Sequence, residues 1–389
     1  MKKLILLTLG AIAVSFYIQN YVDMSDFSWV QASSQQDWPE NKPKALGFDE
    51  DKLVSLHQFV SRSQRKNVHS LLIAKDGQLV FEQYYPAVNT PTGTPMPTHY
   101  PPGPDTSHQM RSVTKTVTAT LIGRLLQSGD IPDLKQPLFS YFPQERVADW
   151  EHKSDVTLEN ALMFNVGLDW VEWGVQNSDA MKMWLSPDPY AYTLERPMAF
   201  APGERFIYQG GASVLLGGVI ERVSGQNLRE YAEKALFEPL NITNYEWFAH
   251  EVTGQYLGSS GLYLRTRDLA KLGQLYLNQG EWQGQQLLDP QWVKQSFIAR
   301  GKFWSWKSIE YGYNWWLPDI RVDGQKVTIA GMRGSGGQEM FVVPEYRLIF
   351  AMTSGAYFNQ DEDYPLQLLA DYILPALGLQ NVEYVAESR

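Results

Sequence analysis

The sequence predicts an α+β protein in which both chain ends build one antiparallel sheet, flanked by helices and packed against a mainly helical middle domain. Three observations carry this. Val68 to Ala74 and Gln78 to Tyr84 are apolar-rich runs joined by Lys75-Asp76-Gly77, the pattern of a β-hairpin. Strand-like runs return only late, at Val327 to Ala330, Gln338 to Val343 and Leu348 to Thr353, the last two joined through Pro344-Glu345-Tyr346-Arg347. Between these ends the pattern is mainly helical. Strands at both ends with helices between them imply that the termini co-fold into one sheet.

Taken in order, Met1-Lys2-Lys3 is a basic start followed by an uncharged apolar run from Leu4 to Ile18. Residues 1–18 therefore read as an export segment, either a cleaved signal peptide or a retained membrane anchor. Cleavage after Ala11-Ile12-Ala13 would leave an apolar stretch of only about seven residues, and the whole run is short for a full span. The expected location is outside the cytoplasm, periplasmic or anchored to the inner membrane facing outward. Residues 19–45, with Pro39 and Pro43, read as a linker, and residues 46–376 as the main domain. A helix is expected from Asp49 to about Arg65. Pro86 to Asp105 holds 7 of the 22 prolines and predicts no regular structure; it forms either one rim of a cleft or a surface insertion. The helical part, about 112–300, is inserted between the strands. Its clearest members run from Ala212 to Val223, Leu228 to Leu236 and Thr266 to Asn278. Leu366 to Leu374 closes the domain, leaving 377–389 as a tail.

Composition narrows the function. At 389 residues and 44% hydrophobic the chain has ample material for a large core. A net charge of −10 argues against nucleic acid or an anionic membrane surface as main partner. Without cysteine there is no disulfide, thiolate metal site or lipoprotein-type acylation. His250-Glu251 lacks the second histidine of H-E-x-x-H, so no metal and no cofactor are expected. The 13 Trp and 21 Tyr are dense enough to line a cleft as well as a core.

The strongest chemical signal is Ser112-Val113-Thr114-Lys115. It opens an apolar helix running to Leu126 and closed by Gly129, in which Val113, Val117, Leu121 and Leu125 repeat every four residues. Lys115 then stands one turn after Ser112 on the same side. An amine so placed can take the hydroxyl proton, and the helix N-terminus favours negative charge nearby. Ser63-Gln64-Arg65-Lys66 has the same spacing but no apolar helix behind it, and reads as a solvated helix end.

Two later stretches could complete a site. Tyr208 follows the Pro202-Gly203 turn and precedes Gly210-Gly211 at the start of a helix; with its pKa lowered by a lysine it would serve as general base. Gly331-Met332-Arg333-Gly334-Ser335-Gly336-Gly337-Gln338 brings four glycines to a strand edge, where a substrate can lie along the backbone.

In combination these stretches resemble the serine β-lactamase-like hydrolases, a superfamily of class C β-lactamases, penicillin-binding D-alanyl-D-alanine peptidases, family VIII esterases and 6-aminohexanoate-dimer hydrolases. The resemblance covers about residues 46–376. Ser260-Gly261-Leu262, Thr266-Arg267-Asp268-Leu269 and Tyr311-Gly312-Tyr313-Asn314-Trp315-Trp316 add to it. It implies a β-lactamase/transpeptidase-like fold, Ser112 as the acylated nucleophile, and Lys115 with Tyr208 as the pair moving its proton. The backbone N–H groups of Ser112 and Gln338 would form the oxyanion hole, with Ser335, Gly336 and Gly337 binding substrate.

Two departures narrow the substrate. The family's Tyr-x-Asn is here Tyr208-Gln209-Gly210, and its Lys-Thr-Gly aligns with Ser335-Gly336-Gly337. Both losses disfavour β-lactam and D-alanyl-D-alanine substrates. They leave Lys115 alone to keep Tyr208 acidic; Arg333 is either a stand-in for the missing carboxylate-binding lysine or a surface arginine, the second being the simpler expectation. Trp170 and Trp173, among acids and glycine, are candidates for an acyl-pocket wall; Trp304-Ser305-Trp306 and Trp315-Trp316 are either wall or core. The reading is an exported serine hydrolase of small ester or amide substrates. The alternatives are a β-lactamase or D-alanyl-D-alanine peptidase, and a non-catalytic cleft-binding protein of the same fold. No G-x-S-x-G occurs, so an α/β-hydrolase is not supported.

Overall fold

The computed structural model describes residues 27–33, 38–63, 67–89, 98–100, 103–174, 178–302, 309–357 and 363–385. The apolar N-terminal segment and Trp304-Ser305-Trp306 lie outside the described residues, and no described helix is long and apolar enough to cross a membrane.

The centre is an eight-stranded antiparallel sheet. Its strands are β1 (Val68–Lys75), β2 (Gln78–Tyr84), β3 (Gly301–Lys302), β4 (Ile309–Tyr311), β5 (Trp316–Pro318), β6 (Ala330–Gly334), β7 (Gln338–Val343) and β8 (Leu348–Ser354). They lie in the order β3-β4-β5-β6-β7-β8-β1-β2. β1 pairs with β8 in a register that sets Leu72 opposite Ala351, so the two chain ends meet inside one sheet. The β1–β2 turn places Asp76 and Gly77 consecutively in left-handed conformation, as a tight hairpin requires.

Helix α1 (Glu50–Arg62), capped by the Asp49 side chain, covers one face together with the helical run from Tyr364 to Ala376. Against the other face lie α2 (Val113–Ser128) and α4 (Thr266–Leu277), while α3 (Gly210–Ser224) packs on α2 within the helical part. α2 is buried on nearly every side. Its threonines meet that demand with hydroxyl bonds: Thr116 donates to the Asn314 carbonyl at 2.7 Å and Thr118 to the Gly258 carbonyl at 2.8 Å.

α4 is pinned to the sheet by charge. Arg267 makes a two-pronged ion pair with Glu82 of β2, at 2.7 and 2.6 Å, with both side chains out of water. Arg265 pairs in the same way with Asp268, at 2.6 and 2.7 Å.

Several expectations change. Val327 to Ala330 is not one strand: Gln325–Val327 belongs to a small separate sheet, and β6 starts at Ala330. β6 reads Ala-Gly-Met-Arg-Gly, whose glycines hide a strand from propensity. That small sheet also takes Val382–Tyr384, from the stretch read as a tail, paired with Ile320–Val322. The stretch read as a linker borders β2, where Leu79 donates to the Pro39 carbonyl and Glu82 to that of Trp29. Trp38 is buried there, so this segment covers a sheet edge. The proline-rich stretch does contain regular structure, a pairing of Ala87–Asn89 with Thr98–Tyr100.

Candidate active site

Ser112 is delivered by a three-stranded side sheet. Ser107–Gln109 pairs with Leu262–Arg265, which pairs with Tyr245–Trp247, and the Met110 N–H donates to the Leu262 carbonyl at 2.8 Å. The next residue, Arg111, has φ +52°, a left-handed conformation unusual for a side chain of its size. That turn ends the strand and starts α2 at once, leaving Ser112 as its N-terminal cap. The Ser112 side chain makes no cap bond. Its Oγ instead accepts from Lys115 Nζ at 3.1 Å. The second S-x-x-K does nothing comparable: Ser63 Oγ donates to the Phe59 carbonyl at the end of α1.

Lys115 is buried, and apart from the Tyr208 hydroxyl three oxygens surround its ammonium. Besides Ser112 Oγ these are the Ser259 carbonyl at 3.3 Å and Glu172 Oε1 at 3.6 Å. Tyr208 closes the group. Its hydroxyl is hydrogen-bonded to Ser112 and Lys115, and Lys115 Nζ stands 5.0 Å from its ring centre. The three residues predicted as the catalytic set thus meet around one point.

Tyr208 is not made acidic overall. Burial pushes its pKa up, and this outweighs the downward pull of Lys115; the Glu172 charge pushes it up further. The sequence expectation of a net lowered pKa is therefore corrected.

In the sequence Glu172 is one of the acids beside Trp170 and Trp173, with no local pattern to mark it. It is buried, and its Oε2 accepts from the Gly210 N–H and from Trp170 Nε1, both at 2.7 Å. Gly210 opens α3, so this carboxylate sits on the positive end of a helix dipole.

The tryptophans separate by role. Trp170 is 4% exposed and holds Glu172 from behind, so it offers no open wall to a ligand. Trp173 is 57% exposed and stacks on Tyr208, with ring centres 5.1 Å apart and planes 11° from parallel. Trp316 lies 5.5 Å from the Tyr208 ring, whereas its neighbour Trp315 is core, packed on Tyr276 and Phe297.

The glycine-rich strand edge also needs correction. Gln338 begins β7, paired with Gly334, and its side chain donates to the Ser354 carbonyl on β8. The backbone that meets the Ser112 turn is Gly334: a Cβ there would stand 2.3 Å from the Met110 oxygen and 3.2 Å from Arg111 Cβ. This places Gly334-Ser335, at the end of β6, beside the nucleophile, and sets Gln338 one strand further off. Gly336 and Gly337 form the turn, packed on Tyr357 and Ser354. Arg333 is not at the surface: it is buried, paired with Glu339 at 2.8 Å and set over the Trp316 ring. Replacing Gly334 by valine is expected to push the Ser112 turn out of line. A displacement near 1 Å lowers turnover by roughly 10²-fold; kcat for an activated ester checks it.

Residues 60–373 match the family model described as Beta-lactamase. The chain belongs to the Beta-lactamase family. Among curated relatives it is similar to 6-aminohexanoate-dimer hydrolase of Paenarthrobacter ureafaciens, 23% identical over 258 residues, covering 62% of this chain and 64% of that protein. It is also similar to esterase EstB of Burkholderia gladioli, 25% identical over 183 residues, 44% of each chain. Both matches thus span less than two thirds of the relative's own length. The octameric penicillin-binding protein homologue from Pyrococcus abyssi shares the fold, with a TM-score of 0.62 at 22% identity over 82% of this chain and 77% of that one. As a Beta-lactamase family member the chain falls in the serine hydrolase superfamily, and the relatives named here are a 6-aminohexanoate-dimer hydrolase and an esterase.

Proposed function

We propose that this protein is an exported serine hydrolase that cleaves small esters or amides through an acyl-enzyme on Ser112. The observation that supports this most is the 3.1 Å approach of Lys115 Nζ to Ser112 Oγ, with Tyr208 hydrogen-bonded to both. The pair reacts once it has lost one shared proton. Ser112 Oγ attacks the carbonyl carbon as its proton passes to Lys115 and Tyr208. The resulting oxyanion lies at the N-terminus of α2, between the Ser112 N–H and the backbone at Gly334-Ser335. The C–O or C–N bond breaks as the pair returns the proton to the leaving group. Water then attacks the acyl-enzyme by the same route in reverse.

The substrate reading rests on what surrounds this group. Gly210 stands where the family's Tyr-x-Asn carries an amide, and Arg333 is committed to Glu339, so neither supports recognition of a peptide-like acyl amide or a terminal carboxylate. The exposed face of Trp173 beside Tyr208 suits an apolar acyl or alkyl group. Trp173→Ala is expected to raise KM for butyryl or hexanoyl esters roughly 3- to 10-fold, matching the ~0.5–1.5 kcal/mol of an aromatic contact, with little change for acetyl esters.

The test compares p-nitrophenyl esters of increasing chain length with a chromogenic cephalosporin and a D-alanyl-D-alanine peptide. Turnover of the esters is the expected result. Preferential cleavage of the cephalosporin or peptide would return the β-lactamase or peptidase reading, and a folded protein that turns over none of them would leave the cleft-binding one.

A further inference from the structure

Lys115 is held by more than its proton-transfer partners. Its third neighbour is the Glu172 carboxylate, a residue 38 positions from Gly210 that nonetheless accepts the first N–H of α3. The Trp170 indole fixes the same carboxylate from behind, so one oxygen faces Lys115 while the other is occupied twice. Val171 and Asp179 also exchange two bonds, the Asp179 N–H to the Val171 carbonyl at 2.6 Å and the Val171 N–H to the Asp179 carboxylate at 2.7 Å.

We propose that Glu172 is the positioning carboxylate of the proton-transfer pair, completing a Ser112–Lys115/Tyr208–Glu172 relay in which it orients Lys115 and stabilises the charge Lys115 gains as Ser112 gives up its proton. This rests on the nucleophile reading above. The logic is that of any base oriented by a third group: the carboxylate takes no proton itself, but favours the protonated base that forms in the transition state. It also supplies a fixed partner to Lys115 beside the helix start where the family's second motif would place an asparagine side chain.

The charge has a readable sign. The ionisable groups acting on Tyr208 are Lys115 from α2 and Glu172 from its loop, while Tyr311 of β4 packs edge-on against its ring and has its own pKa raised by burial and by Tyr208. Of these, Glu172 opposes loss of the shared proton. Removing its charge makes the pair a weaker base that deprotonates at lower pH.

Glu172→Gln, which retains an acceptor for the Gly210 N–H, is therefore expected to do two things. The plateau kcat for p-nitrophenyl butyrate falls by roughly 10²-fold, the scale of general acid–base assistance, with KM changed by no more than about 3-fold. The midpoint of the limb where kcat rises with pH moves to lower pH. Glu172→Asp, which keeps the charge on a shorter arm, is expected to recover part of the rate and return the midpoint towards wild type. A fall in rate with an unmoved midpoint, or a midpoint in Glu172→Asp as displaced as in Glu172→Gln, would overturn the relay and reduce Glu172 to a loop fastener. Phosphonylation of wild type at Ser112 by a fluorophosphonate, with loss of fluoride, separates this failure from failure of the nucleophile reading: labelling with an unmoved profile rejects Glu172 alone, and no labelling rejects both.

Discussion

Lys115→Met is expected to lower kcat for an activated ester by at least about 10³-fold, within the range assigned to a positioned acid–base group, while leaving KM within a few-fold. The size follows from the geometry. Methionine is of similar length but carries no amine, so Ser112 Oγ loses the group 3.1 Å away that receives its proton in the proposed mechanism. Tyr208 remains hydrogen-bonded to Ser112, but its pKa is raised by burial, and the lysine charge is the largest influence drawing it down. Without that charge the phenol becomes a poorer source of phenolate at neutral pH. The two effects compound, because the proposed mechanism passes the same Ser112 proton through both groups. A loss below tenfold would mean that the proton leaves Ser112 by another path. Steady-state kinetics across pH 6–10 measure both the loss and any displaced limb.

Arg267→Leu is expected to give the largest loss of stability. Its guanidinium makes both bonds to Glu82 in a water-free setting and also donates to the Gln31 carbonyl at 2.9 Å. Leucine leaves the Glu82 carboxylate buried beside Tyr84, whose hydroxyl lies 2.6 Å from it and whose pKa is already driven well up by burial and that charge. Breaking a buried pair by removing one partner costs about 3–5 kcal/mol. Replacing Arg267 and Glu82 together by apolar residues is expected to recover much of this, since no orphan charge remains. Urea denaturation of the two variants beside wild type checks the difference; equal losses in both would show that side-chain packing, not charge, holds α4 to the sheet.

What the sequence disclosed, and what it hid, follows from the range of each signal. The hairpin at Asp76-Gly77 and helices α2, α3 and α4 are legible because their periodicity and end signals are local. β4 and β5 escape notice because three residues are too few to show alternation, and their Ile309, Tyr311 and Trp316 read equally well as isolated core residues. The resemblance points to Gln338 through its place after the glycine pair, whereas its position in space depends on the β6–β7 register, which sets it opposite Gly334. Ser112, Lys115 and Tyr208 are readable through their spacing and the residues around them. Glu172 is not, since its meaning comes from a loop that crosses to the start of α3 and from a lysine 57 positions earlier, and no local pattern records such a meeting.

The measurement that bears most directly on the central claim is intact-mass analysis after exposure to a fluorophosphonate probe, run on wild type, Ser112→Ala and Ser63→Ala. The expected result is one adduct on wild type and on Ser63→Ala, absent from Ser112→Ala, with ester turnover lost in that variant alone. Folded wild type that takes no adduct, or a Ser112→Ala protein that still takes one and still turns over ester, would contradict the assignment of Ser112 as the nucleophile.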